Sequence, residues 1–461
     1  MFLNPYLTDY DDRLAGESYI DPLGMLVIWS AFGQKIFKNR VNSISNDVRN
    51  YTLNLFNHYL IRRLVQDEEV VLKHTLSSVY GSKDSLHFKY ACLIYLENLF
   101  VYSLLAQEDT MDVDSGGVLG ITKARRIWED FQYDTPLLFT HDKIGHILVR
   151  QLSLGVSGRY KTPFMEIGYF DGNYHYQLPS AAVRWAEAER FIAATPVLRK
   201  LADGVFLHLQ NLLAQNSARP QITFASARAD KLPKMYAGAF ASPGAVGRYA
   251  RPYWLTATGL NSGAAGALLQ VLDDNATRKP PRDLDDQQLI AAALKESLAS
   301  DERLKIQHIE WLEPFLADST LLFTLLASKK TQLIKDVAKL WQQYKRNDNT
   351  LPLGAQRVMD HPELKQVLSG MARGRLQALL KLREIPNLSE QIRLLVDHHS
   401  KVMEGRGQSS WLNVDDHGAV KVHARTLRVP KTEDWPVGCW TNGYYLPQFK
   451  SLVSGYQGGP A

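Results

Sequence analysis

Apolar residues recur at helical spacing along most of this sequence, and this periodicity constrains the fold more than any other feature. Between residues 21 and 106 they return every three or four positions, for example at Leu93, Leu96 and Phe100. The same spacing is found between residues 286 and 404. Such spacing is typical of helices that bury one face. We therefore predict a mainly α-helical protein.

The length of the chain predicts several packed units. Its 461 residues exceed the size at which one hydrophobic core stops growing. An acidic, glycine-containing stretch at residues 109–120 breaks the helical pattern, and Lys279-Pro280-Pro281-Arg282 cannot continue a helix. The segments that we predict are a helical N-terminal unit (1–108), a winged-helix-like unit (121–215), an irregular Gly/Ala/aromatic-rich segment with a linker (216–285) and a helical C-terminal unit with a β-hairpin (286–461).

Two short stretches have the pattern of β-hairpins. Aromatic residues flank Asp171-Gly172-Asn173, and a helix follows from Pro179 or Ser180. This order of elements is that of the wing of a winged-helix module, so we predict a winged-helix-like element there. A second hairpin is predicted between Trp411 and Val429, around Asp416-His417-Gly418.

Cysteine use and hydropathy indicate the cytoplasm. Cys92 and Cys439 are far apart and belong to no CxxC motif, so neither a disulfide framework nor a zinc site is indicated. The first residues lack the basic and apolar regions of a signal peptide. The most apolar run, residues 90–106, contains Glu97 and Asn98 and predicts a buried helix instead of a membrane span.

Positive charge suggests contact with nucleic acid. The net charge is +5, which is weak evidence over this length, so clusters matter more than the total. One cluster interleaves cations with aromatic residues, and the other lies on C-terminal helices, where cations can equally be a solvated helix face. The candidate nucleic-acid-binding residues are Arg159, Lys161, Arg248, Arg251, Arg373, Arg375, Lys381 and Arg383.

No catalytic signature is recognisable. His141 and His146 supply too few ligands for a metal site, and no glycine-rich stretch has the GxxxxGK[ST] pattern of a phosphate-binding loop. Glu166, Asp171 and Lys161 are the residue types of a metal-dependent nuclease, but their order and spacing do not match a nuclease core. We predict no catalytic residues, metal or cofactor.

Three short stretches of the chain carry a resemblance to a known group of proteins. They are Asp21-Pro22-Leu23-Gly24 leading into Arg49-Asn50-Tyr51, then Gly158 to Phe164 with Ile167-Gly168-Tyr169, and finally Trp411 with the terminal run Trp440 to Phe449. These stretches resemble a group of bacterial proteins found in anti-phage defence islands. The resemblance implies membership of a multi-gene system whose ATPase, helicase or nuclease subunits carry the catalysis.

Together these features predict a non-catalytic accessory subunit of an anti-phage defence system that contacts DNA, partner subunits or both, away from membranes. Two alternatives stay open. One is a pure protein scaffold that makes no nucleic-acid contact. The other is a metal-dependent nuclease whose site has diverged.

Overall fold

The computed structural model describes residues 21–459, and its fold is mainly α-helical. It is 62% helical, with 22 helices and two small antiparallel sheets in the described part. The prediction of a mainly α protein with small hairpins is therefore confirmed. The prediction that no signal peptide is present concerns residues 1–20 and lies outside the described residues.

The chain divides into two compact units, and each is built from two separate stretches. The larger unit contains residues 36–299 and 445–459, and the smaller unit contains residues 21–35 and 300–444. The helices and strands of the larger unit are α2 (Val48–Gln66), α3 (His74–Tyr80), α4 (Leu86–Leu105), α5 (Ile121–Asp130), β1 (Pro136–Leu138), α6 (Gln151–Leu154), α7 (Val156–Arg159), α8 (Lys161–Ile167), α9 (Ala182–Ala194), α10 (Pro196–Leu213), β2 (Gln221–Thr223), α11 (Phe224–Ala229), α12 (Leu232–Phe240), α13 (Pro243–Thr258), α14 (Gly263–Ala276), α15 (Asp286–Ala293) and α22 (Leu446–Tyr456). Those of the smaller unit are α1 (Leu26–Ile36, whose last residue belongs to the larger unit), α16 (Ser300–Leu326), β3 (Thr331–Leu333), α17 (Ile334–Gln343), α18 (Thr350–Met359), α19 (Glu363–Val367), α20 (Gly370–Leu380), α21 (Leu388–Glu404), β4 (Leu412–Val414) and β5 (Ala419–Val422).

The core of the larger unit is formed around α2 and α4. The side chain of Asp47 caps α2 by accepting the amide of Arg49 at 2.8 Å, and Ser85 caps α4 through the amide of Phe88 at 3.3 Å. Helix α4 is long and apolar enough to cross a membrane, but 94% of its most apolar window is buried in the fold. It is therefore a core helix, as the sequence predicts.

Helices α13 and α22 pack so closely that their contact requires glycine. A Cβ atom placed on Gly247 would lie 1.9 Å from the carbonyl oxygen of Gly455, and one on Gly244 would lie 2.5 Å from that of Gly458. Real Cβ atoms do not come this close to backbone atoms. Glycine at these positions thus lets the C-terminal helix pack against the backbone of α13.

The hairpin predicted around Asp171-Gly172-Asn173 is not formed. Residues 168–178 contain no strand and run as a loop between α8 and the helical turn Pro179–Ala181. A hairpin strand places alternate side chains on opposite faces, whereas the aromatic residues of this loop all point inward, each at most 4% exposed. They are Tyr169, Phe170, Tyr174 and Tyr176. Burial of these rings overrides the turn signal, so the winged-helix-like element predicted at this position is wrong.

The second predicted hairpin is confirmed in the smaller unit. Strands β4 and β5 pair antiparallel, and β3 pairs with the other edge of β5, which gives the sheet order β3-β5-β4. The side chain of Asp415 accepts the amides of His417 and Ala419 at 3.1 and 2.8 Å and so closes the turn. Gly418 follows with φ +75°, a conformation that glycine adopts at little cost.

The terminal run of the smaller unit is held by one buried carboxylate. Glu313 on α16 is fully buried and accepts hydrogen bonds from the amides of Thr441 and Asn442 at 2.7 and 2.9 Å and from the hydroxyl of Tyr444. The donors of Asn442 and Tyr444 are buried and would otherwise lack an acceptor. The polar residues of this stretch therefore have a structural role.

The stretch at residues 21–24 is fixed in the same way. Asp21 accepts the amide of Met25 at 2.6 Å and the guanidinium of Arg406 at 3.1 Å. The ring of His398, on α21, lies 2.9 Å from the carbonyl oxygen of Leu23. These contacts attach the described N-terminal stretch to the last turns of α21.

In the larger unit, Arg49 is a buried anchor for the acidic loop that follows α4. Its guanidinium pairs with Asp47 at 2.6 Å and donates to the carbonyl oxygens of Asp114 and Gly116. Its side chain is 1% exposed, so a charge buried this deeply must be paired. The loop at 114–117 is thereby tied to the start of α2.

Candidate nucleic-acid interface

The eight predicted cations are divided equally between the two units. Arg159, Lys161, Arg248 and Arg251 lie in the larger unit, and Arg373, Arg375, Lys381 and Arg383 lie in the smaller one. Their local environments decide whether their charge is available to a ligand.

In the larger unit, three of the four cations are engaged within the fold. Arg159 donates to the carbonyl of Leu154 at 2.9 Å, and Arg251 pairs with Asp273. Lys161 donates to the carbonyl of Gly172 at 2.6 Å, and its ammonium lies 4.5 Å from the ring centre of Tyr174. Arg248 is exposed on α13. These residues mainly support the loop at 168–178 and the ends of helices.

In the smaller unit, the cations of α20 are also largely engaged. Arg373 donates to the carbonyl of Leu368 at 2.9 Å, and Arg375 donates to that of Gly24 at 3.0 Å. Burial and the nearby charge of Arg406 lower the pKa of Arg375. In the 3-10 turn after α20, Lys381 is exposed and Arg383 lies 3.7 Å from Glu384. The guanidinium groups of Arg373 and Arg375 are thus held by carbonyl groups of the same unit.

Exposed cations also lie beside the three-stranded sheet of the smaller unit, on β5 and on the segments that enter β3 and leave β5. Strand pairing places Thr331 of β3 opposite Lys421 of β5. Beyond the strands, the amide of Val422 donates to the carbonyl of Lys330 at 2.9 Å, and the amide of Leu427 donates to that of Ala327 at 2.9 Å. The chain entering β3 and the chain leaving β5 thus run side by side. The cations that they bring together, which we call the sheet basic surface, are Lys329, Lys330, Lys421, Arg425 and Arg428.

Little negative charge offsets this surface. All five cations are exposed. Among residues 21–459, only one carboxylate lies within ion-pair distance of these cations. It is that of Asp415, 3.3 Å from Lys421. The amide of Ala419 and the ammonium of Lys421 lower the pKa of Asp415, so it is charged at neutral pH and offsets one cation. Lys330 donates to the carbonyl of Ala424 at 2.7 Å, which orients its charge without neutralising it.

Helix α17, which begins directly after β3, adds to the positive charge. Lys335 and Lys339 are exposed on it, and Lys339 lies 3.7 Å from Asp336. Both are separated from β3 by less than three turns of helix. The sheet and the helix therefore offer cations at several points, as phosphate contacts require.

This surface was not predicted from the sequence, although one of its segments is rich in cations. Residues 419–431 contain Lys421, Arg425, Arg428 and Lys431 and no acidic residue. Lys329 and Lys330 lie ninety residues earlier, and nothing local indicates that β3 pairs with β5. The charges are visible in the sequence, but the pairing of β3 with β5 that places them side by side is not.

The residues of the nuclease alternative are engaged with neighbouring side chains and backbone. Glu166 lies 3.8 Å from Arg40, and Asp171 lies 2.7 Å from the ring nitrogen of His175. Lys161 is bound to the carbonyl of Gly172, as described above. Within the described residues, no three His, Cys, Asp or Glu side chains come together in a way that could hold a metal ion.

Comparison with known proteins gives no relative for this chain. No protein-family model matches the sequence, and neither the curated proteins nor the solved structures contain a match. The function is therefore argued from the sites of this molecule.

Proposed function

We propose that this chain is a non-catalytic accessory subunit of a bacterial anti-phage defence system and that it contacts DNA through the sheet basic surface. The observation that carries the DNA contact is the pairing of β3 with β5, which sets side by side two chain segments that carry five exposed cations and have one carboxylate, that of Asp415, within ion-pair distance of them. Phosphates are bound by positive charge at backbone spacing and need no catalytic group.

The order of elements in the smaller unit supports this proposal. Winged-helix modules follow the order helix, strand, helix, helix, strand, strand, and the last two strands form the wing. Here α16, β3, α17, α21, β4 and β5 follow that order, with residues 344–387 inserted between α17 and α21. The hairpin of β4 and β5 takes the position of the wing, and β5 carries Lys421 on it. A winged-helix module thus belongs at residues 300–422 in this proposal.

The defence context rests on the three sequence stretches that resemble proteins of anti-phage islands. In such a system the ATPase, helicase or nuclease subunits would carry the catalysis, and this chain would position them on DNA in the cytoplasm. Within these stretches, Asp21 and Arg49 make buried contacts that stabilise the fold, and Glu313 of α16 binds the terminal run.

The experiment that tests the DNA contact compares two double variants with equal loss of charge. Arg425→Gln/Arg428→Gln removes two cations of the sheet basic surface. Arg383→Gln/Lys401→Gln removes two cations of the same unit that are already ion-paired, with Glu384 and Asp397. Binding of a fluorescent duplex is followed by anisotropy over a series of salt concentrations.

We expect the first variant to bind more weakly and to lower the salt slope of log K by about two, since each phosphate contact contributes about one. The matched control should bind almost as the wild type does. Equal losses in both variants would mean that overall charge, not this surface, governs binding. If the wild type itself binds no DNA, the result favours the alternative of a protein scaffold. The partners of this chain would then be identified by co-purification.

A further inference from the structure

We infer that the sheet basic surface binds double-stranded DNA by its phosphate backbone and that α21, the helix next to it, reads no base sequence. This inference rests on the proposed function and adds which form of DNA is bound and how it is recognised. Two features of the smaller unit carry it, namely the charge on α21 and the position of aromatic side chains.

Helix α21 lies where a winged-helix module carries its base-reading helix, directly before the hairpin. A base-reading helix must enter the major groove between two rows of phosphates, so an overall negative or neutral exposed face is unfavourable. The exposed charged residues of α21 are Glu390, Arg393, Asp397, Lys401 and Glu404, which is two cations against three carboxylates.

The two cations on this face are engaged within the protein. Lys401 pairs with Asp397 at 2.6 Å. Arg393 points toward the turn of the hairpin, 3.4 Å from the carbonyl oxygen of Asp415. Neither guanidinium nor ammonium is therefore presented for a bidentate contact with a guanine edge, the commonest specific contact in the major groove.

Single-stranded DNA is disfavoured by the aromatic side chains. Proteins that bind single strands stack bases on exposed aromatic rings along a basic groove. Within the described residues, the exposed Phe and Tyr side chains are Phe131 and Tyr133, and both lie in the larger unit. Beside the sheet basic surface, Trp411 is half-buried, and the exposed ring of His423 lies 2.8 Å from the side-chain oxygen of Asn413. Tyr344, beside the sheet basic surface, is 3% exposed and uses its hydroxyl to bind the carbonyl of Pro430.

The remaining contacts are those of flexible cations with phosphate. Lys329, Lys330 and Lys421 carry point charges on long stems, which hold a duplex in place without specifying its sequence. Arg425 and Arg428 lie on irregular chain after β5, where no helix or strand aims them into a groove. The surface is thus suited to the regular backbone of a duplex of any sequence.

The test uses the full-length protein with a pool of random-sequence duplexes, sequenced after successive rounds of binding, and with one duplex and its single strand measured side by side. A charge-neutral variant, Glu390→Gln/Arg393→Gln, alters the exposed first turns of α21 without changing net charge. We expect no enriched motif, a duplex affinity that this variant changes by less than about two-fold, and single-strand binding at least about ten-fold weaker, since the described part of the smaller unit has no fully exposed Phe, Tyr or Trp ring.

An enriched motif, a change of affinity in the α21 variant, or tighter binding of the single strand would overturn this inference and leave the DNA role itself standing. Absence of binding to every probe would instead overturn the proposed function. The two failures are therefore distinguishable in one set of measurements.

Discussion

The amide of Val422 donates to the carbonyl of Lys330 at 2.9 Å, and this backbone contact joins the two cationic segments of the sheet basic surface. The two residues are far apart in sequence and adjacent in space because β3 pairs with β5. The charge density of the surface is therefore a property of the fold, and it depends on the integrity of the smaller unit.

The buried carboxylate of Glu313 should be a main determinant of that integrity. Glu313→Ala removes the acceptor of the amide of Thr441 and leaves the buried amide of Asn442 and the buried hydroxyl of Tyr444 without their acceptor, and we expect it to destabilise the smaller unit by roughly 3 kcal/mol. Tyr444→Phe removes one hydrogen bond to the same carboxylate and should cost roughly 1.5 kcal/mol. Calorimetric unfolding of both variants measures which substitution lowers the free energy of unfolding more. A larger effect of Tyr444→Phe than of Glu313→Ala would contradict this assignment.

Glu97 in the larger unit should make stability depend on pH. Burial raises the pKa of Glu97 from its usual 4.5 to about 7, although it accepts the amide of Ser157 at 2.7 Å. Between these two values the folded chain holds a proton that the unfolded chain has lost. Stability therefore falls as pH rises through this window, by about 3 kcal/mol in total.

Glu97→Gln is the control for this pH dependence, because glutamine keeps the shape of the side chain and does not titrate. The stability of the wild type relative to Glu97→Gln should fall between about pH 5 and about pH 7 and then level off. Calorimetry of both proteins across this range measures the difference. Parallel curves for the two proteins would mean that Glu97 titrates normally.

Two glycines of the larger unit, one at the contact of α13 with α22 and one on an open face of α12, should respond in opposite ways to substitution by alanine. Gly247→Ala places a Cβ atom 1.9 Å from the carbonyl oxygen of Gly455, so the helices must separate, at a cost of roughly 1–3 kcal/mol. Gly238→Ala, in α12, meets no atom within 4 Å and should stabilise the larger unit by roughly 0.5–1 kcal/mol, because alanine loses less entropy on folding. Thermal unfolding of the two variants distinguishes them. Destabilisation by Gly238→Ala would show that other atoms lie close to this position of α12 and clash with the added Cβ atom.

The sequence predicted well those features that depend on local patterns. Helical periodicity identified the mainly α fold and the buried helix α4, and the turn signal of Asp416-His417-Gly418 identified the C-terminal hairpin. The same turn logic was wrong at Asp171-Gly172-Asn173, because all the flanking rings are buried there. Local patterns report a preference, and the burial of four aromatic side chains outweighs it.

Features that depend on distant segments could not be predicted in this way. The two compact units each combine stretches that are separated by more than a hundred residues, and periodicity contains no information about such pairing. For the same reason Arg373 and Arg375 of α20, which are close in sequence, were predicted to bind nucleic acid, whereas the segments that carry Lys330 and Arg425 run side by side only because β3 pairs with β5. The carbonyl partners of Arg373 and Arg375 are likewise invisible in the sequence.

The central claim is that this chain binds DNA through uncompensated cations, and the salt dependence of duplex binding by the wild-type protein tests it most directly. With Lys421 offset by Asp415 and four cations in contact, log K should fall linearly with log salt concentration, with a slope of about −4. No binding at about 50 mM salt, or an affinity that does not change with salt, would contradict the account and favour a protein scaffold.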